Sequence, residues 1–277
     1  MPLKFIFIHL FWLPFALAGC ALLIPEPQAN DIAQQAKMVK LSSNINGFEL
    51  LAYSKLNSKD QTINVYIEGD GLAWISRYEL SKDPTPKFAL ALKLASLDTH
   101  NNVIYLARPC QFNDFKHTSC ASAYWSNKRF SEEVIDALDK ELDKLLMNQY
   151  QPKINLIGYS GGGAVAVLLA ARRHDIMSLR TIAGNLDHEY LNQLHHVSAM
   201  PDSHNPINFA KQIRHISQIH FIGINDEIIP EEITLHFMKK QGKADCASMI
   251  KVKANHQVGW TERWQNLLQI PISCHKQ

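Results

Sequence analysis

From Gly47 onward, short apolar runs alternate with longer stretches whose apolar residues recur every three to four positions, the pattern of strands joined by helices. The apolar runs cover 47–53, 62–67, 102–107, 153–159, 179–183, 219–224 and 248–252. Between them, 84–97 reads as a helix opened by Pro84, with a stripe of Phe88, Leu90, Ala91, Leu94 and Leu97. A second helix over 131–148 has its apolar face at Val134, Ile135, Leu138, Leu142, Leu145 and Leu146. Further helices are expected over 161–171 and 231–240, and at the end, around Trp260, Trp264, Leu267 and Leu268. Such alternation predicts the α/β class, a mostly parallel central sheet with helices on both faces.

The first residues follow another pattern. Met1 to Lys4 carries one positive charge, Phe5 to Ala18 is an apolar run too short for a comfortable membrane span, and Leu17-Ala18-Gly19-Cys20 follows. Leu-Ala-Gly-Cys resembles the bacterial lipobox. That resemblance implies that residues 1–19 are a signal peptide, that Cys20 is lipidated, and that the membrane holds the protein through it. Ala21 in place of Asp resembles the sorting signal for the outer membrane of a Gram-negative cell. Residues 20–46 then read as lipidated N-terminus and tether, rich in Pro, Gln and Ala as far as Lys40, with room for a short helix.

Export changes the reading of the cysteines. Without Cys20 four remain, Cys110, Cys120, Cys246 and Cys274, and an even number suggests two disulfides. Three pairings are open. Cys110 with Cys120 and Cys246 with Cys274 is favoured, because each bond then staples a local loop near the sheet edge. A formal charge of +2 and the lack of a dense basic run argue against nucleic acid. The segment 188–216 is irregular and holds His188, His195, His196, His204 and His215, but no spacing among them is that of a metal site, so neither metal nor cofactor is expected.

The chemistry concentrates at Lys153 to Ala171, an apolar strand, Gly158-Tyr159-Ser160-Gly161-Gly162, and a small-residue helix closed by Arg172 and Arg173. A serine on a sharp strand-to-helix turn needs neighbours at minus two and plus two without side chains, which Gly158 and Gly162 supply. Free N–H groups at the helix start, that of Gly161 first, face the reaction centre. The stretch resembles the nucleophile elbow of the α/β hydrolases.

That resemblance extends to the C-terminus and implies the remaining parts. Glu68-Gly69-Asp70-Gly71 follows the strand before the first helix, where the family has His-Gly-x-Gly, so the amide of Asp70 becomes the second oxyanion donor, although Glu68 stands in place of His. Gly223-Ile224-Asn225-Asp226 before Ile228-Ile229-Pro230 resembles the turn carrying the catalytic acid, with Asp187 the runner-up. Among 13 histidines, His256 alone directly follows the last expected strand, the place of the general base. The order Ser160, Asp226, His256 is that of the family. Trp74 and Tyr159 are placed to line the substrate pocket, and Arg108, ending a strand, reads as a surface salt-bridge residue.

These parts imply an extracytoplasmic, lipid-anchored serine hydrolase for a small-molecule or lipid ester. The domain spans 47–277, with 188–216 as a small cap insertion. A peptidase, thioesterase or transacylase of the envelope, or a non-catalytic binding module on the same fold, remain alternatives.

Overall fold

The computed structural model describes residues 25–58, 62–113, 119–242, 246–272 and 274. The leader, the lipobox and Cys20 lie outside the described residues. The chain enters through α1 (Pro25–Gln35) and a hairpin of β1 (Val39–Ile45) and β2 (Phe48–Leu56). Next come β3 (Ile63–Ile67), a small ribbon of β4 (Trp74–Ser76) and β5 (Glu79–Leu80), α2 (Leu90–Ser96) and β6 (Asn102–Leu106). The rest alternates: α3 (Glu132–Leu146), β7 (Ile154–Tyr159), α4 (Gly161–Arg172), β8 (Ile176–Ile182), α5 (His188–Leu194), β9 (Ser217–Gly223), α6 (Glu231–Gln241), β10 (Ala247–Val252) and α7 (Trp264–Leu268).

Eight strands make one sheet in the order β1-β2-β6-β3-β7-β8-β9-β10. Only β2 opposes its neighbours, and every pair from β6 to β10 is parallel. This is the α/β-hydrolase fold expected from the alternation, because parallel neighbours need crossover helices to bring the chain back.

Strand pleating divides the core in two. Ile63, Val65 and Ile67 of β3 enter one apolar cluster with residues of α3, α4 and α6, while Tyr66 enters the other with residues of α1, α2 and α7. Among the described residues, Ala29 is the first that either cluster uses. Arg173 at the end of α4 clamps three carboxylates, Asp139 and Asp143 of α3 and Asp175, at 2.5 to 2.7 Å. Arg172 makes a bidentate pair with Glu132. Both arginines therefore tie α4 to α3, which goes beyond suiting a helix dipole.

Four expectations need correction. Residues 25–46, read as tether, instead form α1 and β1, and Ala29 and Ala33 are buried. The helix expected over 84–97 starts only at Leu90. The segment before it closes the ribbon loop, where the carbonyl of Pro84 accepts from the Leu72 amide at 3.0 Å and Asp83 caps the amide of Thr85 at 2.8 Å. The ribbon itself was not expected. Arg108 is buried rather than on the surface. The segment 188–216 holds α5 and a single 3-10 turn, Pro206–Phe209. Disulfides join Cys110 to Cys120 and Cys246 to Cys274.

Candidate active site

The end of β7 and the start of α4 produce the geometry that the glycine pattern anticipated. Ser160 adopts φ 52° and ψ −120°, a strained conformation for a residue with a side chain. Its carbonyl accepts from the amides of Gly163 and Asn185 at 2.9 and 3.0 Å, and its own amide donates to Ile182 O at 2.9 Å. A methyl on Gly158 would lie 2.2 Å from the Gly162 carbonyl oxygen, and one on Gly162 would lie 2.2 Å from that of Ile67. Only glycines let the strand, the elbow and β3 approach this closely.

His256, in the turn after β10, brings Nε2 to 3.1 Å from Ser160 Oγ and Nδ1 to 2.9 Å from Asp226 Oδ2. The other carboxylate oxygen of Asp226 accepts from the amides of Ile228 and Ile229, both at 2.9 Å, and its side chain is fully buried. Those two bonds fix the carboxylate so that one oxygen is left for the imidazole. Asp187, the alternative acid, lies elsewhere. It accepts from the Tyr190 amide at the start of α5 and from Asn205 Nδ2.

Tyr159, expected to line the substrate pocket, serves as a brace in the structure. It is buried, its hydroxyl donates to the His256 carbonyl at 3.1 Å, and its ring lies 5.4 Å from the imidazole. Trp74 sits on the ribbon and is 43% exposed. Burial first, then the charge of Arg129, lowers the pKa of His188, so that ring stays neutral. Among the described residues, no three His, Cys, Asp or Glu side chains gather where they would hold a metal ion.

The loop after β3 is held from several sides. Glu68, 1% exposed, accepts from the Gly69 amide at 2.9 Å, the Ala91 amide at 3.4 Å and the Tyr105 hydroxyl at 3.1 Å. Burial pushes its carboxyl up to about 7, against the lowering effect of those bonds. Gln111 Nε2 donates to the Gly69 carbonyl at 3.0 Å, and Gly71 turns the chain with φ 65° against Pro84.

The Asp70 carboxylate lies against Gly161, where an added methyl would fall 2.0 Å from Oδ1. Arg108 and Arg129 pair with its two oxygens at 3.2 and 3.1 Å. The amides of Asp70 and Gly161 donate to no described group. Sequence reasoning missed Gln111 and Arg129, and assigned Glu68 no task. Glu68 carried the one local signal, as an acid directly after the apolar end of a strand, Val65-Tyr66-Ile67.

The serine hydrolase (FSH1) family matches residues 89–266, well over half of the chain, a span that includes Ser160, Asp226 and His256. None of the curated proteins matches the sequence. An esterase of Pyrococcus furiosus is similar in structure, with a TM-score of 0.61 at 14% identity over 85% of this chain and 91% of that one. Est1E from Butyrivibrio proteoclasticus gives 0.56 at 13% identity over 83% and 97%. An alpha-beta serine hydrolase homologue from Coxiella burnetii gives 0.56 at 12% identity over 83% and 93%. These structural likenesses speak for the fold, and the family match for the chemistry: the chain belongs to the serine hydrolase (FSH1) family.

Proposed function

We propose that the protein is a serine esterase, lipid-anchored through Cys20 outside the cytoplasm, in which Ser160 is the nucleophile, His256 the general base and Asp226 the triad acid. The observation that carries this reading is the unbroken line of hydrogen bonds from Ser160 Oγ through the imidazole to a carboxylate held by two backbone amides. His256 takes the proton as Ser160 Oγ attacks the ester carbonyl, and Asp226 holds the Nδ1–H tautomer and stabilises the imidazolium. The amides of Gly161 and Asp70 receive the oxyanion, with Arg108 and Arg129 neutralising the nearby Asp70 carboxylate. His256 then protonates the departing alcohol, and water, activated by the same imidazole, releases the acid.

Anchoring rests on Leu17-Ala18-Gly19-Cys20, and an oxidising compartment agrees with the two disulfides. The test is fluorophosphonate labelling of the chain from Ala21 onward, beside Ser160→Ala and His256→Ala. Labelling of wild type alone is expected. A folded wild type that stays unlabelled overturns the reading in favour of a non-catalytic binding module. Labelled palmitate incorporated in bacterial cells, and lost in Cys20→Ser, tests the anchor.

A further inference from the structure

Large apolar side chains left in water are distributed unevenly over the molecule. Of 14 such exposed residues among those described, ten occupy connections leaving the carboxyl ends of β3, β8, β9 and β10, the edge on which Ser160 sits. Ile75 and Tyr78 on the ribbon are 59% and 88% exposed, and Val197, Ile228 and Val258 stand on the other three connections. Scattered exposed apolar residues need no explanation, but a concentration around one mouth does.

These connections are joined. Arg77 of the ribbon donates to the carbonyls of His195 and His196 at 3.4 and 3.1 Å, and His195 Nε2 lies 2.8 Å from the Ile228 carbonyl in the turn that carries Asp226. Ribbon, α5 and acid turn thus form one rim that ends on the triad.

The first described helix starts toward the same edge. β1 runs in the direction of β6, since both oppose β2. α1 feeds β1 through only Ala36 to Met38 and packs back over the hairpin, with Asn30 accepting from the Tyr53 hydroxyl at 2.6 Å. Its first residue, Pro25, therefore lies toward the carboxyl edge, five residues along the chain from Cys20.

We propose that this rim docks on a lipid surface, so that Ser160 receives an amphiphilic ester drawn from that surface. The proposal rests on the esterase reading above and names its substrate class. A second copy of the chain seated on the rim would close the mouth over Ser160, whereas a lipid surface presents its esters to it.

The experiment uses the chain from Ala21 onward, which contains every described residue of both apolar clusters, and the triple variant Ile75→Ser, Tyr78→Ser, Val197→Ser, with unfolding curves confirming that both fold. Hydrolysis of an acyl ester carried in phosphatidylcholine vesicles is compared with that of a water-soluble butyrate ester. The variant is expected to lose at least about tenfold on vesicles and to stay within about twofold on the soluble ester. In the Ser160→Ala background, brominated phosphatidylcholine vesicles should quench Trp74 emission, measured as the difference from Trp74→Phe, and the triple variant should weaken that quenching. Equal loss on both esters, or absent quenching, overturns the proposal. So does a wild-type dimer by sedimentation that the triple variant lacks, which would assign the rim to a second copy. Failure of wild type on both esters with quenching intact removes the esterase reading and leaves the docking.

Discussion

The Glu68 carboxylate accepts the amide of the next residue, Gly69, at 2.9 Å, fixing the first bend of the loop that carries Asp70, whose amide is the proposed oxyanion donor. The same side chain holds Ala91 and Tyr105, so it joins the loop to α2 and β6. In Glu68→Gln the side chain keeps one acceptor oxygen and turns an NH2 toward the Tyr105 hydroxyl, loosening the loop without emptying the space. Since losing an oxyanion donor outright costs roughly a hundredfold or more, displacing one should lower kcat by about tenfold, with KM within about threefold. Steady-state kinetics on a soluble ester decides it; an unchanged kcat would mean that the loop holds itself.

The same carboxylate governs a pH effect on stability. Its folded pKa of about 7 lies above the ordinary 4.5, so the native state holds a proton that the unfolded chain has lost. Its contribution is fully present below about pH 4.5 and is lost as pH rises to about 7. Buried His220 behaves oppositely, because burial lowers it from 6.5 to about 4, and stability is lost as pH falls through that window. Each shift corresponds to about 3 kcal/mol of opposite slope, so the two offset each other between roughly pH 4.5 and 6.5. Removing the Glu68 contribution in Glu68→Gln exposes the His220 slope. Its melting temperature should fall several degrees more than that of wild type between pH 6.5 and 5, and parallel curves would refute the pairing.

Two glycines separate close approach from backbone freedom. Gly162→Ala would force a methyl to within 2.2 Å of the Ile67 carbonyl oxygen and 2.6 Å of that of Glu68, in backbone that cannot yield without moving the elbow. We expect a loss of about 3 kcal/mol or more and no fluorophosphonate labelling. Gly242 has φ 80° and ψ −153°, backbone open essentially to glycine alone, but nothing within 4 Å of the added atom, so Gly242→Ala should cost only that strain, about 2 kcal/mol, and leave labelling intact. Denaturant unfolding ranks the pair, and equal losses would contradict this assignment.

The contrast between these residues also explains what was legible in the sequence. The proposed nucleophile, acid and base each sit in a local pattern, a strand followed by a turn of fixed composition, because the chemistry proposed for them needs particular backbone at their own positions. The Asp70 ion pairs involve no such pattern. Arg108 lies 38 residues away and Arg129 in a turn before α3, and only the fold brings them together. β1 was hidden because it is an edge strand with mostly exposed residues, and the ribbon because strands of three and two residues are too short to show alternation. α1 buries alanines, which carry little apolar signal against its Pro and Gln.

The assignment of the acid can be tested by two parallel substitutions. In Asp226→Asn the two backbone amides still have an oxygen to bond, but an NH2 then faces Nδ1 of His256 and favours the tautomer whose Nε2–H cannot accept the serine proton. A loss of kcat of about 10⁴-fold is expected by analogy with the same change in other serine triads, with little change in melting temperature. Asp187→Asn leaves the imidazole of His256 untouched and weakens the start of α5, the contact with Asn205 and the pairing of Asp187 with His236 at 3.6 Å. It should cost at most about 1 kcal/mol of stability and alter kcat by no more than about threefold. The reverse pattern, with Asp187→Asn inactive and Asp226→Asn active, would transfer the role to Asp187 and require the loop that carries His256 to move during turnover, since in this arrangement the imidazole already has its carboxylate at 2.9 Å.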